Sequence, residues 1–196
     1  MSEITAGFAM CGSFCTFSKV LPQMRVLLEK GMHIVPIMSQ AAYSIDTRFG
    51  KAADFRVEIE EMCGEKIIHT LFDAEPIGPK KLLDILIIEP CTGNTIGKLA
   101  TGITDTPVTL AAKAHLRNNR PVLIGVSTND ALGAAAKNIG QLLNYKNLYM
   151  IPMRQDDCVK KPNSIVADFT KTYDAAMAAL NGEQLQPCLL YTSPSP

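Results

Sequence analysis

Pro90-Cys91-Thr92-Gly93-Asn94-Thr95 follows the unbroken apolar run 85–88 and precedes Ile96, Leu99, Ala100 and Ile103 at helical spacing. A short apolar run bounded by turn residues reads as a buried strand, and the spacing after it reads as a helix with one apolar face. Their junction gathers backbone N–H groups, small hydroxyls and one amide at the carboxyl end of a strand. Doubly wound α/β proteins bind nucleotides at that place.

The same alternation runs outward in both directions. Residues 4–10 read as a strand, and Val20, Leu21, Met24, Leu27 and Leu28 mark a helix over 18–30 that stops at Gly31. A second strand is expected at 33–38. Beyond it, a break at Gly50 is followed by an amphipathic stretch (Phe55, Ile59, Met62) that ends at Gly64. A short strand is expected at 67–71, and the two prolines of Glu75-Pro76-Ile77-Gly78-Pro79 make a rigid loop. Asp105-Thr106-Pro107 is a helix start, a capping oxygen before a first-turn proline. The next elements are a strand at 121–126, a helix at 131–143 and a strand at 148–151. A polar loop over 152–163 precedes a final helix carrying Ile165, Phe169, Tyr173, Met177 and Leu180.

This order predicts one α/β domain over residues 1–187, a doubly wound, Rossmann-like or flavodoxin-like fold. Its parallel sheet should have five or six strands with helices on both faces. Residues 188–196, ending Tyr-Thr-Ser-Pro-Ser-Pro, are too rich in Pro and Ser to pack and are expected to be a disordered, non-native tail.

Composition narrows the function. Of 196 residues 47% are hydrophobic and the formal net charge is zero, so no basic stripe invites nucleic acid. No apolar run approaches the roughly 18 residues of a membrane span, and no basic leader precedes one. The six cysteines include no Cys-x-x-Cys pair, no histidine pair has ligand spacing, and no metal site is expected. Reduced, buried thiols and a cytoplasmic location are the expectation.

Four strand ends carry small polar residues. Cys11-Gly12-Ser13-Phe14 follows the first strand, Ser39 the second, the 90–95 run the central one, and Ser127-Thr128-Asn129-Asp130 the next. Glycine lets backbone approach a ligand, and hydroxyls with helix-start N–H groups suit phosphate. Ser39 and Asp130 also read as plain helix caps. Arg48, beside Gly50, is the cation favoured for a carboxylate, and Lys160 and Lys161 lie on the polar loop, placed to serve as a lid.

The Pro-x-Thr-x-Asn-Thr run with Gly102-Ile103-Thr104-Asp105 after it resembles the homo-oligomeric FMN-binding flavoproteins, a family with cysteine decarboxylases and prenyl-FMN synthases. The resemblance implies FMN held by Gly12, Ser13, Phe14, Ser39, Thr92, Gly93, Asn94, Thr95, Ser127 and Thr128. It implies Asn94, Asn129 and His69 as the catalytic set. Where the decarboxylases have Pro-x-Met-Asn this chain has Ser127-Thr128-Asn129, so their substrate clamp carries over only to Asn129.

TRFG at 47–50, AEPIGP at 74–79, RNNRPVLIGVSTNDALG at 117–133 and QDDCVKKPNS at 155–164 resemble one branch of that family more closely. That branch implies an oxidoreductase subunit of spore-forming bacteria that aromatises a reduced ring dicarboxylate. A companion A subunit would bring the NAD(P) site, whose glycine fingerprint this chain lacks. A non-catalytic flavin scaffold and an FMN-dependent cysteine-type decarboxylase are the alternatives.

Overall fold

The computed structural model describes residues 4–191. Five strands run parallel: β1 (Thr5–Met10), β2 (His33–Met38), β3 (Ile85–Cys91), β4 (Val122–Thr128) and β5 (Leu148–Met150). All seven residues of β3 are buried, as befits a strand covered on both faces. Its side chains alternate between two cores. Leu86 and Ile88 join the cluster under α5 (Gly93–Thr101), α6 (Pro107–Arg117) and α7 (Ala136–Leu142). Ile85 and Ile87 join the cluster under α1 (Phe17–Glu29), α3 (Ala52–Cys63) and α8 (Thr172–Leu180).

Local chemistry sets the helix ends. Thr106 and Thr109 form a reciprocal capping box with Pro107 at the first turn, fixing the start of α6 where the sequence predicts it. Gly64 ends α3 with φ of 68°, a left-handed conformation that costs a side-chain-bearing residue more. The short helices α2 (Gln40–Ser44) and α4 (Leu71–Ala74) complete the set. No described helix is long and apolar enough to cross a membrane.

The sheet is mixed. Residues 152–163, expected as a polar loop, form most of an antiparallel hairpin of β6 (Met153–Asp157) and β7 (Lys161–Ala167). The sheet order is β2-β1-β3-β4-β7-β6, with β5 also on β4. β5 pairs with Val122–Ile124 and β7 with Ser127 and Thr128, so the two divide β4 lengthwise. Ile165 and Val166 therefore belong to a strand, and the last helix begins only at Thr172. Ile67–Leu71 contributes a single bridge, Ile68 to Ile37, before α4 begins. Residues 131–135 are turns, and α7 is shorter than expected. Leu189 bridges to Met153, so the start of the expected tail pairs with the domain; 192–196 lie outside the described residues.

Candidate functional site

Because β1 to β4 are parallel, their carboxyl ends form one rim and the four polar turns share it. Backbone bonds tie the exits together: Ser39 N–H donates to Met10 O (2.9 Å), and Cys11 N–H to Pro90 O (3.1 Å). Ser13, in the turn after β1, and Ser127, near the end of β4, lie on opposite sides of β3, yet their hydroxyls hydrogen-bond at 2.8 Å across its end. The turn after β1 therefore arches over the exit of β3. Hydroxyls and backbone are concentrated where the sequence predicts an anion.

Helix α5 begins at Gly93, so Gly93, Asn94 and Thr95 form its first turn and not a loop before it. The N–H groups of such a turn have no partners inside their own helix. A Cβ on Gly93 would lie 2.8 Å from both Thr128 Oγ1 and Asp130 Oδ1, so glycine is needed for α5 to reach the β4 turn. Thr128 donates to Asp130 Oδ1 (2.5 Å), fixing that turn. Asn94 and Asn129 are exposed beside it.

Other expected ligands differ in kind. Thr95 is buried and its hydroxyl lies 3.2 Å from Cys11 Sγ, which turns it toward the core. Ser39 Oγ accepts from Ala42 N–H (3.3 Å), the cap reading, and keeps its own proton free to donate. Gly12 lies against the Phe14 ring and Ala41, at 3.4 Å from a built Cβ, a snug wall beside Ser13.

His69 sits at the β2 end of the rim, stacked on Tyr43 with centroids 3.8 Å apart. The Arg56 guanidinium lies over the same Tyr43 ring at 4.5 Å, so the tyrosine is gripped by a cation as well as by an imidazole. His69 Nδ1 is 3.2 Å from Ile67 O; donating there leaves Nε2 as the free base. These groups line a groove of about 640 Å³ with Lys66, Glu60 and Asp73. Two strands, β1 and β3, separate this end from Asn129, roughly 14 Å at ordinary strand spacing. His69 does not join the two asparagines in one cluster.

The three cations are likewise split. Arg48 lies on the Thr47–Gly50 turn beyond β2, its guanidinium 4.8 Å from the Phe49 ring. Lys160 and Lys161 belong to the hairpin beyond β4, where Lys161 pairs with Asp156 (2.7 Å). Lys160 N–H donates to Asp157 Oδ1 (2.9 Å), closing the hairpin turn. Arg48 and the two lysines thus approach the rim from its opposite ends. Among the described residues no group of three His, Cys, Asp or Glu could hold a metal ion.

Sequence reasoning missed Glu89. It is wholly buried on the α8 face; Thr172 Oγ1 donates to one of its oxygens at 2.8 Å and the other has no partner among the described residues. Burial pushes its carboxyl up to about 8, and the Thr172 hydrogen bond opposes this only partly. An acid inside an otherwise apolar strand was the available signal.

A single mixed sheet with helices on both sides and a polar rim at its carboxyl edge is a flavodoxin-like architecture, and residues 1–180 match the flavoprotein family; the chain belongs to it. It is 45% identical over 184 residues to the B subunit of dipicolinate synthase from Bacillus subtilis (strain 168), covering 94% of this chain and 92% of that protein. The crystal structure of the corresponding B subunit from Bacillus halodurans C is 43% identical, with TM-score 0.89 and 97% of each chain covered. The FMN-dependent cysteine decarboxylase SpaF has the same fold, at 19% identity and TM-score 0.66 over 92% of this chain and 98% of that one.

Proposed function

We propose that the chain is the B subunit of a dipicolinate synthase, an oxidoreductase that converts a dihydro- or hydroxytetrahydro-dipicolinate to dipicolinate. It acts with an A subunit that brings NAD(P), in the cytoplasm of a spore-forming bacterium and as a homo-oligomer. The observation that carries this reading is the Ser13–Ser127 hydroxyl pair bridging the end of β3 beside the Gly93 turn.

That rim fits FMN. The hydroxyls of Ser13, Ser39 and Ser127, with the N–H groups of the α5 first turn, suit a phosphate, and Gly12 and Gly93 let the turns that carry them pack closely together. Asn94 and Asn129 would hold polar edges of the flavin or substrate. When bound, FMN supplies a two-electron acceptor and donor.

The residues' own part is binding, orientation and proton handling. His69, with Nδ1 turned to Ile67 O, presents Nε2 toward solvent as a proton acceptor, and Tyr43 keeps the imidazole flat. Arg48, on the same side, attracts a carboxylate, and Lys160 and Lys161 offer a second from the hairpin. Loss of a hydride and a proton from the dihydro ring, preceded by loss of water where the substrate is the hydroxytetrahydro form, makes the ring aromatic, which drives the reaction forward.

The test is direct. The purified chain is examined for flavin absorbance, then assayed alone, with the A subunit, and with the A subunit after flavin removal. Dipicolinate formed only by the mixture, and reduced on flavin loss, is the expected result. Equal rates from the A subunit alone would end the proposal.

A further inference from the structure

Behind the Thr92–Thr95 turn, on the face covered by α5 and α6, lie two thiols that the chemistry above leaves idle. Cys11 follows β1 and Cys91 ends β3, and they are 1% and 0% exposed. Cys11 N–H donates to Pro90 O, which in a parallel pair sets Cys11 level with the next residue, Cys91. Neighbouring strands lie about 4.8 Å apart, inside the Cα separation of roughly 4.4–6.8 Å that a disulfide requires. Both side chains enter the same core cluster, so they leave the sheet on one face.

The sulfurs are chemically unlike. The neighbouring Cys91 thiol, first, and then the Thr95 hydroxyl at 3.2 Å hold the Cys11 thiol below its ordinary range against the opposing effect of burial. Burial, first, and then Cys11 itself push the Cys91 thiol well up. Of the two, Cys11 is the sulfur biased toward the thiolate, and an oxidant must pass the rim to reach it. Cys15 and Cys158 are exposed, and Cys63 faces Met24 Sδ at 3.5 Å.

We propose that Cys11 and Cys91 are a redox-active dithiol that closes reversibly into a disulfide joining β1 to β3 beneath the rim, with a hydroperoxide as oxidant. The Cys11 thiolate attacks one peroxide oxygen and the O–O bond breaks. This gives a sulfenic acid and, after protonation, an alcohol or water. Cys91 sulfur then attacks Cys11 sulfur; the S–S bond forms, and the departing hydroxide leaves as water with the Cys91 proton. The two sulfurs lose two electrons and the peroxide gains them.

Closure takes the thiol partner from Thr95 and draws the first turn of α5 toward β1. That second effect rests on the flavin reading; the linkage itself does not.

The test uses the full chain carrying Cys15→Ser and Cys158→Ser, treated with hydrogen peroxide and digested without reduction. One cross-linked peptide pair containing Cys11 and Cys91 is expected, cleaved by dithiothreitol and absent when Cys91→Ala is added. Free thiols at both positions, or separate sulfinic acids, overturn the proposal. FMN titrated into the reduced and linked forms should bind roughly fivefold more weakly to the linked one, the worth of about one hydrogen bond. Equal affinities overturn the coupling to the rim. If neither form binds FMN while the linkage forms, the flavin reading fails and the dithiol stands.

Discussion

The rim of β1, β3 and β4 and the β6–β7 hairpin both face the ligand side, yet they are built differently. The rim is anchored in buried strands and its side chains bond to one another: Ser13 to Ser127, Cys11 to Thr95, Thr128 to Asp130. The hairpin is anchored only at its base, where β7 pairs with β4 and Met153 and Ala167 are buried; its far half is held by an exposed ion pair and its own turn, and carries Val159 with 84% of its surface exposed. A wall of this kind is expensive to alter and fixes geometry. An arm of this kind is cheap to alter and is free to change shape without disturbing the core.

The largest effect should come from Glu89, in the floor of the wall. Its folded-state value of about 8 lies above the ordinary 4.5, so between them the folded protein holds a proton that the unfolded chain has released. The associated stability is fully present below the lower value and is lost as pH rises through the higher one, at about 1.4 kcal/mol per pH unit. Urea unfolding across the neutral range should show this slope, and Glu89→Gln should flatten it. An unchanged slope in the variant would assign the pH dependence elsewhere.

Next in size is Gly93→Ala. Its methyl would meet Thr128 Oγ1 and Asp130 Oδ1 at 2.8 Å, and we expect a loss of about 1–3 kcal/mol in unfolding free energy together with weakened FMN binding. Denaturant midpoints and flavin fluorescence titration read the two effects. Normal values for both would mean that the wall yields, and the comparison breaks.

Ser13→Ala should cost about 1 kcal/mol of FMN affinity, close to fivefold, with little change in fold stability. Smallest is Lys161→Ala, whose exposed pairing with Asp156 leaves stability within about 0.5 kcal/mol. If turnover by the mixed subunits falls nonetheless, the hairpin acts as a cover. If turnover and stability are both unchanged, Lys161 has no part in the reaction.

The wall is legible in the sequence and the arm is not. Runs such as Ile85–Ile88 and the segment around Val122–Val126 are buried on both faces, so hydropathy alone marks them. Gln155-Asp156-Asp157 and Lys160-Lys161 have little buried surface, and an exposed two-stranded arm leaves no alternation to read. Ile165 falls at helical spacing from Phe169 and Tyr173, which draws it by pattern into a helix that begins later. The rim turns can be found from residue type. The inward turn of Thr95 and the separation of His69 from Asn129 depend on strand order and helix phase, which local pattern does not carry.

β4 gives one edge to two neighbours, β5 below and β7 above. The main-chain bonds suspending the hairpin therefore end on Ser127 and Thr128, the very residues whose hydroxyls face the rim. Any swing of that arm would pass straight to the end of β4, with no intervening helix to absorb it. A flap and a grip built on those two residues would therefore move as one.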